Sequence, residues 1–171
     1  MKKIVSLLLV LSMCVLSLAS CGGANSSPES VVEAMIKVMT EYDVKGVKDL
    51  LPDDMWEEMY DEMDVDEDEF WEELEDQFDD MKDQMEEMDG YSIDYKITDV
   101  DDMKKSEVKD LNEELEDYLD DDIDAAAVVT VEMTLTFEYD GEEEELESEE
   151  EFVVFKYKGN WYISPDDLDL F

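Results

Sequence analysis

The chain has 171 residues and sets 54 aspartates and glutamates against 12 lysines, with no arginine and no histidine, for a formal net charge of −42 at pH 7. That balance excludes nucleic acid and anionic lipid headgroups as partners, because phosphate contacts need Lys or Arg, and it excludes every mechanism built on an imidazole. Disorder is excluded too: 44% of the residues are hydrophobic, and Trp56, Trp71, Trp161, the tyrosines and the valines recur at regular spacings with acids between them, whereas disordered acidic chains are poor in such residues.

The first segment is an export signal. Lys2 and Lys3 make a short positive start, and Ile4 to Leu18 is an uncharged apolar run of fifteen residues. A helix needs roughly 20 residues to cross a ~30 Å hydrocarbon core, so the run is short for a span and fits the apolar region of a signal peptide. Leu18-Ala19-Ser20-Cys21 follows. This resembles the lipobox of bacterial lipoproteins, in which the cysteine thiol receives a diacylglycerol before the chain is cut in front of it. The resemblance implies a signal peptide over residues 1–20, lipidation of Cys21, and a mature protein held by acyl chains on the extracytoplasmic face of the cell membrane. An ordinary secretory signal with a chance cysteine, or an uncleaved anchor, are the alternatives. The order and spacing of charge, apolar run and box favour lipidation.

Cys14 falls in the segment to be removed, which leaves Cys21 alone. An intrachain disulfide and a cysteine-bound zinc or iron–sulfur centre are thereby excluded, and the sequence points to no cofactor. Residues 21–27 read as the lipidated cysteine and a flexible linker, Gly22-Gly23-Ala24-Asn25-Ser26-Ser27, without a side chain large enough to bury. The mature balance becomes ten lysines against fifty-four acids, or −44. Such a charge provides solubility and attracts a basic protein or peptide, or divalent cations, without specifying a site.

Residues 28–171 read as a single acidic domain. Pro28 suits the first turn of a helix capped by Ser27, and Val31, Val32, Met35, Ile36 and Met39 keep helical spacing to about Glu41. Tyr42-Asp43 interrupts it. A short segment with Val44, Val47, Leu50 and Leu51 ends before Pro52, and Asp53 or Asp54 then caps a helix bearing Met55, Trp56, Met59, Tyr60 and Met63. Asp66, with Glu69 three residues on, opens the strongest helix. Its stripe runs through Phe70, Leu74, Phe78, Met81, Met85 and Met88 to a stop at Asp89-Gly90.

Tyr91, Ile93, Tyr95 and Ile97 alternate as a strand, and a helix is expected from about Lys104 to Asp120. Val129, Val131, Met133, Leu135, Phe137 and Tyr139 alternate with Thr and Glu as a half-buried antiparallel strand. Asp140-Gly141 reads as a hairpin turn. The return strand is acidic from Glu142 and apolar from Phe152 to Tyr157. Gly159-Asn160 turns into Trp161-Tyr162-Ile163, and Asp166 to Phe171 reads as a tail after Pro165. Helices gathered against one face of an antiparallel sheet make an α+β fold.

Ser27 to Met35 (SPESVVEAM) resembles the opening helix of small bacterial lipoproteins with a nuclear-transport-factor-two-like domain, and Phe152 to Ile163 (FVVFKYKGNWYI) resembles their closing hairpin. The resemblance implies a curved antiparallel sheet wrapped around the helices as a cone. The chain departs from it in having three or four helices before the sheet and one strand where a hairpin often stands. Some relatives of that fold are isomerases or dehydratases. Several use an Asp–His pair, which this chain cannot supply. A carboxylate base with a tyrosine oxyanion donor needs no histidine, and Tyr60, Tyr95 and Tyr139 are the candidates for the donor.

Two other patterns carry chemistry. Asp64, Asp66, Asp68 and Glu75 have the one-three-five-twelve spacing of a calcium loop, but Glu69 stands where that loop needs glycine. A helix cap among abundant acids accounts for the same residues. Met55, Met59 and Met63, and Met81, Met85 and Met88, could offer thioethers to copper(I), although methionines on the faces of Trp56, Leu74 and Phe78 are better accounted for as core. The expected function is therefore a lipid-anchored extracytoplasmic binding or accessory protein without catalysis. An acidic sink for divalent cations or cationic peptides, and an isomerase- or dehydratase-like enzyme, are the other readings.

Overall fold

The computed structural model describes residues 25–86, 91–139 and 142–168. Among them are five α-helices and a four-stranded antiparallel sheet, in an α+β arrangement. The helices are α1 (Pro28–Glu41), α2 (Val44–Val47), α3 (Asp53–Met63), α4 (Glu67–Glu86) and α5 (Lys105–Glu114). The strands are β1 (Ser92–Asp102), β2 (Ala125–Tyr139), β3 (Glu142–Tyr157) and β4 (Asn160–Ile163), paired in the order β1-β2-β3-β4.

Local chemistry sets the helix ends. Ser27 Oγ accepts the Ser30 N–H at 3.2 Å, and Ser30 Oγ accepts the Ser27 N–H at 2.8 Å. This is a reciprocal cap in which serine replaces the usual glutamate. Tyr42 closes α1 in the left-handed region at φ 56°, and its N–H and that of Asp43 both reach the Val38 carbonyl. Gly46 lets α2 approach α1, since a Cβ there would meet Val38 Cγ2 at 2.6 Å. Asp66 caps α4 as expected, accepting the Glu69 N–H at 2.9 Å.

Three of the boundaries that differ from expectation have a local cause. Pro52, not an aspartate, is the N-cap of α3; Asp53 and Asp54 occupy its first turn, where negative charge suits the helix dipole. Helix α5 stops at Glu114 rather than Asp120. Asn112 then holds the returning chain, its Oδ1 accepting the Ile123 N–H at 2.9 Å and its Nδ2 donating to Asp122 at 2.7 Å. The last hairpin turns on Lys158 and Gly159, at φ 49° and 91°, and Asn160 already pairs with Tyr157. Positive φ at both central residues is what a tight hairpin of this hand requires. The Asp89-Gly90 stop and the Asp140-Gly141 turn lie outside the described residues.

The sheet has two unlike halves. In β3 the successive residues Val154 and Phe155 are both fully buried, as are Ala126 and Ala127 of β2. Successive strand residues point to opposite faces, so both faces are covered here. Helix α1 packs against the strands, and the C-terminal segment is also bonded to β3 at this end. The other half is open. Strand β4 pairs only with Val154 to Tyr157, so the β3 edge from Glu144 to Phe152 has no strand beside it among the described residues. Glu145, Glu147, Glu149 and Glu151 alternate along that edge and are exposed. The α4 stripe ends in the same way: Phe78 is 2% exposed and Met81 is 39% exposed.

Candidate functional site

A cleft of about 410 Å³ with a mainly apolar lining opens between α3, α5 and the C-terminal segment. Helix α3 supplies Met55, Met59 and Met63, which its 3.6-residue period places one above another. Met55 is 1% exposed, Met59 half-buried and Met63 39% exposed, so the thioethers run from floor to rim. Helix α5 adds Leu111 and Leu115, and the turn after it adds Tyr118. Leu168 and Pro165 close the far side. The C-terminal segment is held there by β3: Ser164 N–H donates to the Val153 carbonyl at 2.9 Å, and Asp167 Oδ2 accepts the Val153 N–H at 2.7 Å. Burial pushes the Asp167 carboxyl above its usual range against the opposing effect of that hydrogen bond.

Three carboxylates border the cleft: Glu62 on α3, Glu114 on α5 and Asp166 beyond β4. No lysine is among its described lining residues. The Tyr118 hydroxyl registers the resulting field. Glu62 beside it raises its pKa most, followed by burial, Asp117 and Asp166. The arrangement offers an apolar floor, deformable thioethers and a mouth of one sign of charge.

Next to it, Trp56, Tyr60, Phe70 and Trp71 form an aromatic cluster with ring centroids 5.1–6.4 Å apart. The Trp56 indole N–H donates to the Lys48 carbonyl at 3.1 Å, and the Lys48 ammonium sits 4.5 Å over the Trp71 ring. A second junction lies at the start of α3. Asp54 Oδ2 accepts from the Tyr157 hydroxyl at 2.6 Å and from Lys158 Nζ at 2.7 Å. Lys158 and then Tyr157 hold the Asp54 carboxyl below its usual range. Burial, followed by the bond to Asp54, pushes the Tyr157 hydroxyl up.

The structure separates most of the residues singled out in the sequence. Asp64 ends α3 in the left-handed region at φ 55°, Asp66 is engaged as a cap, and Asp68 and Glu75 border a different groove beside Trp71. The segment is two helix caps back to back rather than an open loop, so the calcium spacing is met while the loop is not. Among the described residues no three carboxylates, cysteines or histidines converge on a metal position. Tyr60 is packed into the aromatic cluster, where burial raises its pKa most. Tyr95 lies on β1, half covered and near Glu33, and Tyr139 pairs with Glu142 at the far end of β2. Tyr60 and Tyr95 lie on separate elements and line no common cavity among the described residues. The methionine triplets are also apart: 55, 59 and 63 line the cleft, Met81 and Met85 lie on α4, and Met88 is outside the described residues.

Cys21 also lies outside the described residues. The linker does not stay loose to residue 27, because Asn25 is docked: its carbonyl accepts the Trp161 N–H at 2.9 Å and its Nδ2 donates to the Asp49 carbonyl at 2.7 Å. Leu168, Tyr118 and Asp166 were not legible as a site in the sequence; the one available signal was an apolar residue between aspartates, Leu168, in a stretch that reads as tail. The chain matches no family model, no curated protein and no solved structure.

Proposed function

We propose that the protein is a lipid-anchored binding lipoprotein of the extracytoplasmic face of the cell membrane, and that it holds a ligand in the α3–α5 cleft without transforming it. The observation that carries this is the cleft itself, an apolar methionine-lined concavity set into a strongly acidic body. Apolar concavities with a few convergent polar groups are where ligands bind. Its walls offer thioethers, aliphatic side chains, one phenol and three carboxylates on separate elements, a set suited to holding rather than to bond-making. The sequence Leu18-Ala19-Ser20-Cys21 supports the anchor. The order of helices, strand, helix and three strands supports the likeness to a nuclear-transport-factor-two-like domain with a curved sheet, although the cleft lies between helices and the C-terminal segment rather than within a cone.

Two measurements test this. Metabolic labelling with an alkyne fatty acid should mark the wild-type protein and leave Cys21→Ala unmarked and uncut. An environment-sensitive apolar dye should bind saturably at one site and be displaced when Met59→Trp fills the cleft. A wild-type chain that stays unlabelled, or a dye indifferent to Met59→Trp, overturns the corresponding half of the proposal.

A further inference from the structure

We infer that the cleft receives the apolar side chains of a cationic amphipathic helix, whose lysines or arginines meet Glu62, Glu114 and Asp166 at its mouth. The inference rests on the cleft being a binding site, and it names the class of partner.

The floor sets the apolar half of the ligand. Met55, Met59 and Met63 present unbranched, polarizable side chains at successive depths, and methionine-lined surfaces adapt to anchors of differing shape. A volume of about 410 Å³ takes in a few side chains but not a whole helix. The ligand therefore lies across the opening and inserts residues at helical spacing, the groove mode in which positions i, i+3, i+4 and i+7 act as anchors.

The mouth sets the polar half. Glu62 and Glu114 stand on two different helices that wall the cleft, and Asp166 stands on the third wall. Whatever fills the apolar floor emerges between carboxylates. A fatty acid or an acidic peptide would bring like charge against all three. A neutral apolar molecule would leave them unused. A second copy of the chain would likewise bring a predominantly acidic surface to this mouth. Opposite charge is favoured in contact and also steered toward the protein from a distance, with a strong dependence on ionic strength.

The test uses the purified protein at physiological salt and three labelled peptides of about 18 residues, long enough to form an amphipathic helix. One is Leu/Lys, one Leu/Glu, and one Ser/Lys with the charge of the first. Anisotropy should show saturable one-site binding of Leu/Lys alone. The pair Glu62→Gln and Glu114→Gln, both exposed, should weaken it about tenfold or more, the scale of charged contacts at an interface. The pair Glu144→Gln and Glu150→Gln, also exposed, removes the same charge from β3 and should leave affinity unchanged. Equal binding of Ser/Lys, or equal weakening by the β3 pair, would mean bulk electrostatics and overturns the inference. Binding of the apolar dye with no binding of Leu/Lys overturns the cationic class while the cleft stands as a site. Failure of dye and peptide together removes both.

Discussion

The junction of Asp54, Tyr157 and Lys158 ties the start of α3 to the β3–β4 turn across more than a hundred residues of chain, and its removal can be worked through. Tyr157 is 1% exposed, whereas the side chains of Asp54 and Lys158 are 30% and 50% exposed. The ion pair with Lys158 is largely open to water and contributes little. The short bond from the buried Tyr157 hydroxyl to a carboxylate is the stronger one, about 1.5–3 kcal/mol. Asp54→Ala strands that hydroxyl in the core and removes a negative charge from a helix N-terminus, so a loss of about 2–4 kcal/mol is expected. Tyr157→Phe leaves Asp54 with Lys158 and with water, so it should cost less, about 1–2 kcal/mol. The double variant should cost clearly less than the sum, because both changes remove the same bond. Urea denaturation with unchanged slope measures all three.

The pH dependence of the same junction has a defined sign. The Asp54 carboxyl is held below its usual range when folded. Its contribution is full above the unfolded carboxylate value of about 3.9 and is lost as acid titrates it through the lower folded value. The gap between wild type and Asp54→Asn should therefore close on acidification. A cost below about 0.5 kcal/mol for Asp54→Ala, within the range of ordinary surface changes, or strict additivity with Tyr157→Phe, would refute the junction as described.

Four further outcomes are expected. Phe78→Ala should cost about 3–5 kcal/mol and Met81→Ala under about 0.5 kcal/mol, since the core ends between them; similar losses in chemical denaturation would place the second residue in the core as well. Gly46→Ala should destabilise by about 1–2 kcal/mol, because the new methyl group meets the buried, branched Val38 side chain; a raised Tm would contradict this. Sodium chloride should raise the Tm of the wild type by screening repulsion among 54 acids, and a Tm that falls with salt would count against it. Replacing Glu145, Glu147 and Glu149 together by glutamine should make the protein self-associate in sedimentation, because charge blunts the open β3 edge; a triple variant that stays as dispersed as wild type would show that the edge needs no such protection.

Elements with a strong repeat were legible from residues alone. The valines and methionines of α1, the stripe of α4 from Phe70 to Phe78 and the alternation of β2 each specify a face, and each face is buried where a neighbour reaches it. Periodicity says which side is apolar; it does not say whether another element arrives to cover it. For that reason Met81 was read as continuing the α4 stripe but stands clear of the core. The aspartates went astray for a related cause. Asp54 has the form of a helix cap but bonds to Tyr157, 103 residues away, and Asp64 to Glu75 has the spacing of a cation loop without its backbone. The cleft was least legible, since α3, α5 and Leu168 meet there from separated stretches, and only tertiary contact joins them.

The docking of Asn25 on Trp161 and Asp49 gives the body an orientation. Four residue steps from Cys21 to Asn25 span at most about 14 Å, so acyl chains on Cys21 would keep the β3–β4 end beside the bilayer on a short leash. Strand β3 leads away from that end, and its 16 residues reach about 50 Å at ~3.3 Å each. Under the proposed acylation of Cys21, the glutamate-bearing end of β3 could reach several screening lengths from the lipid surface.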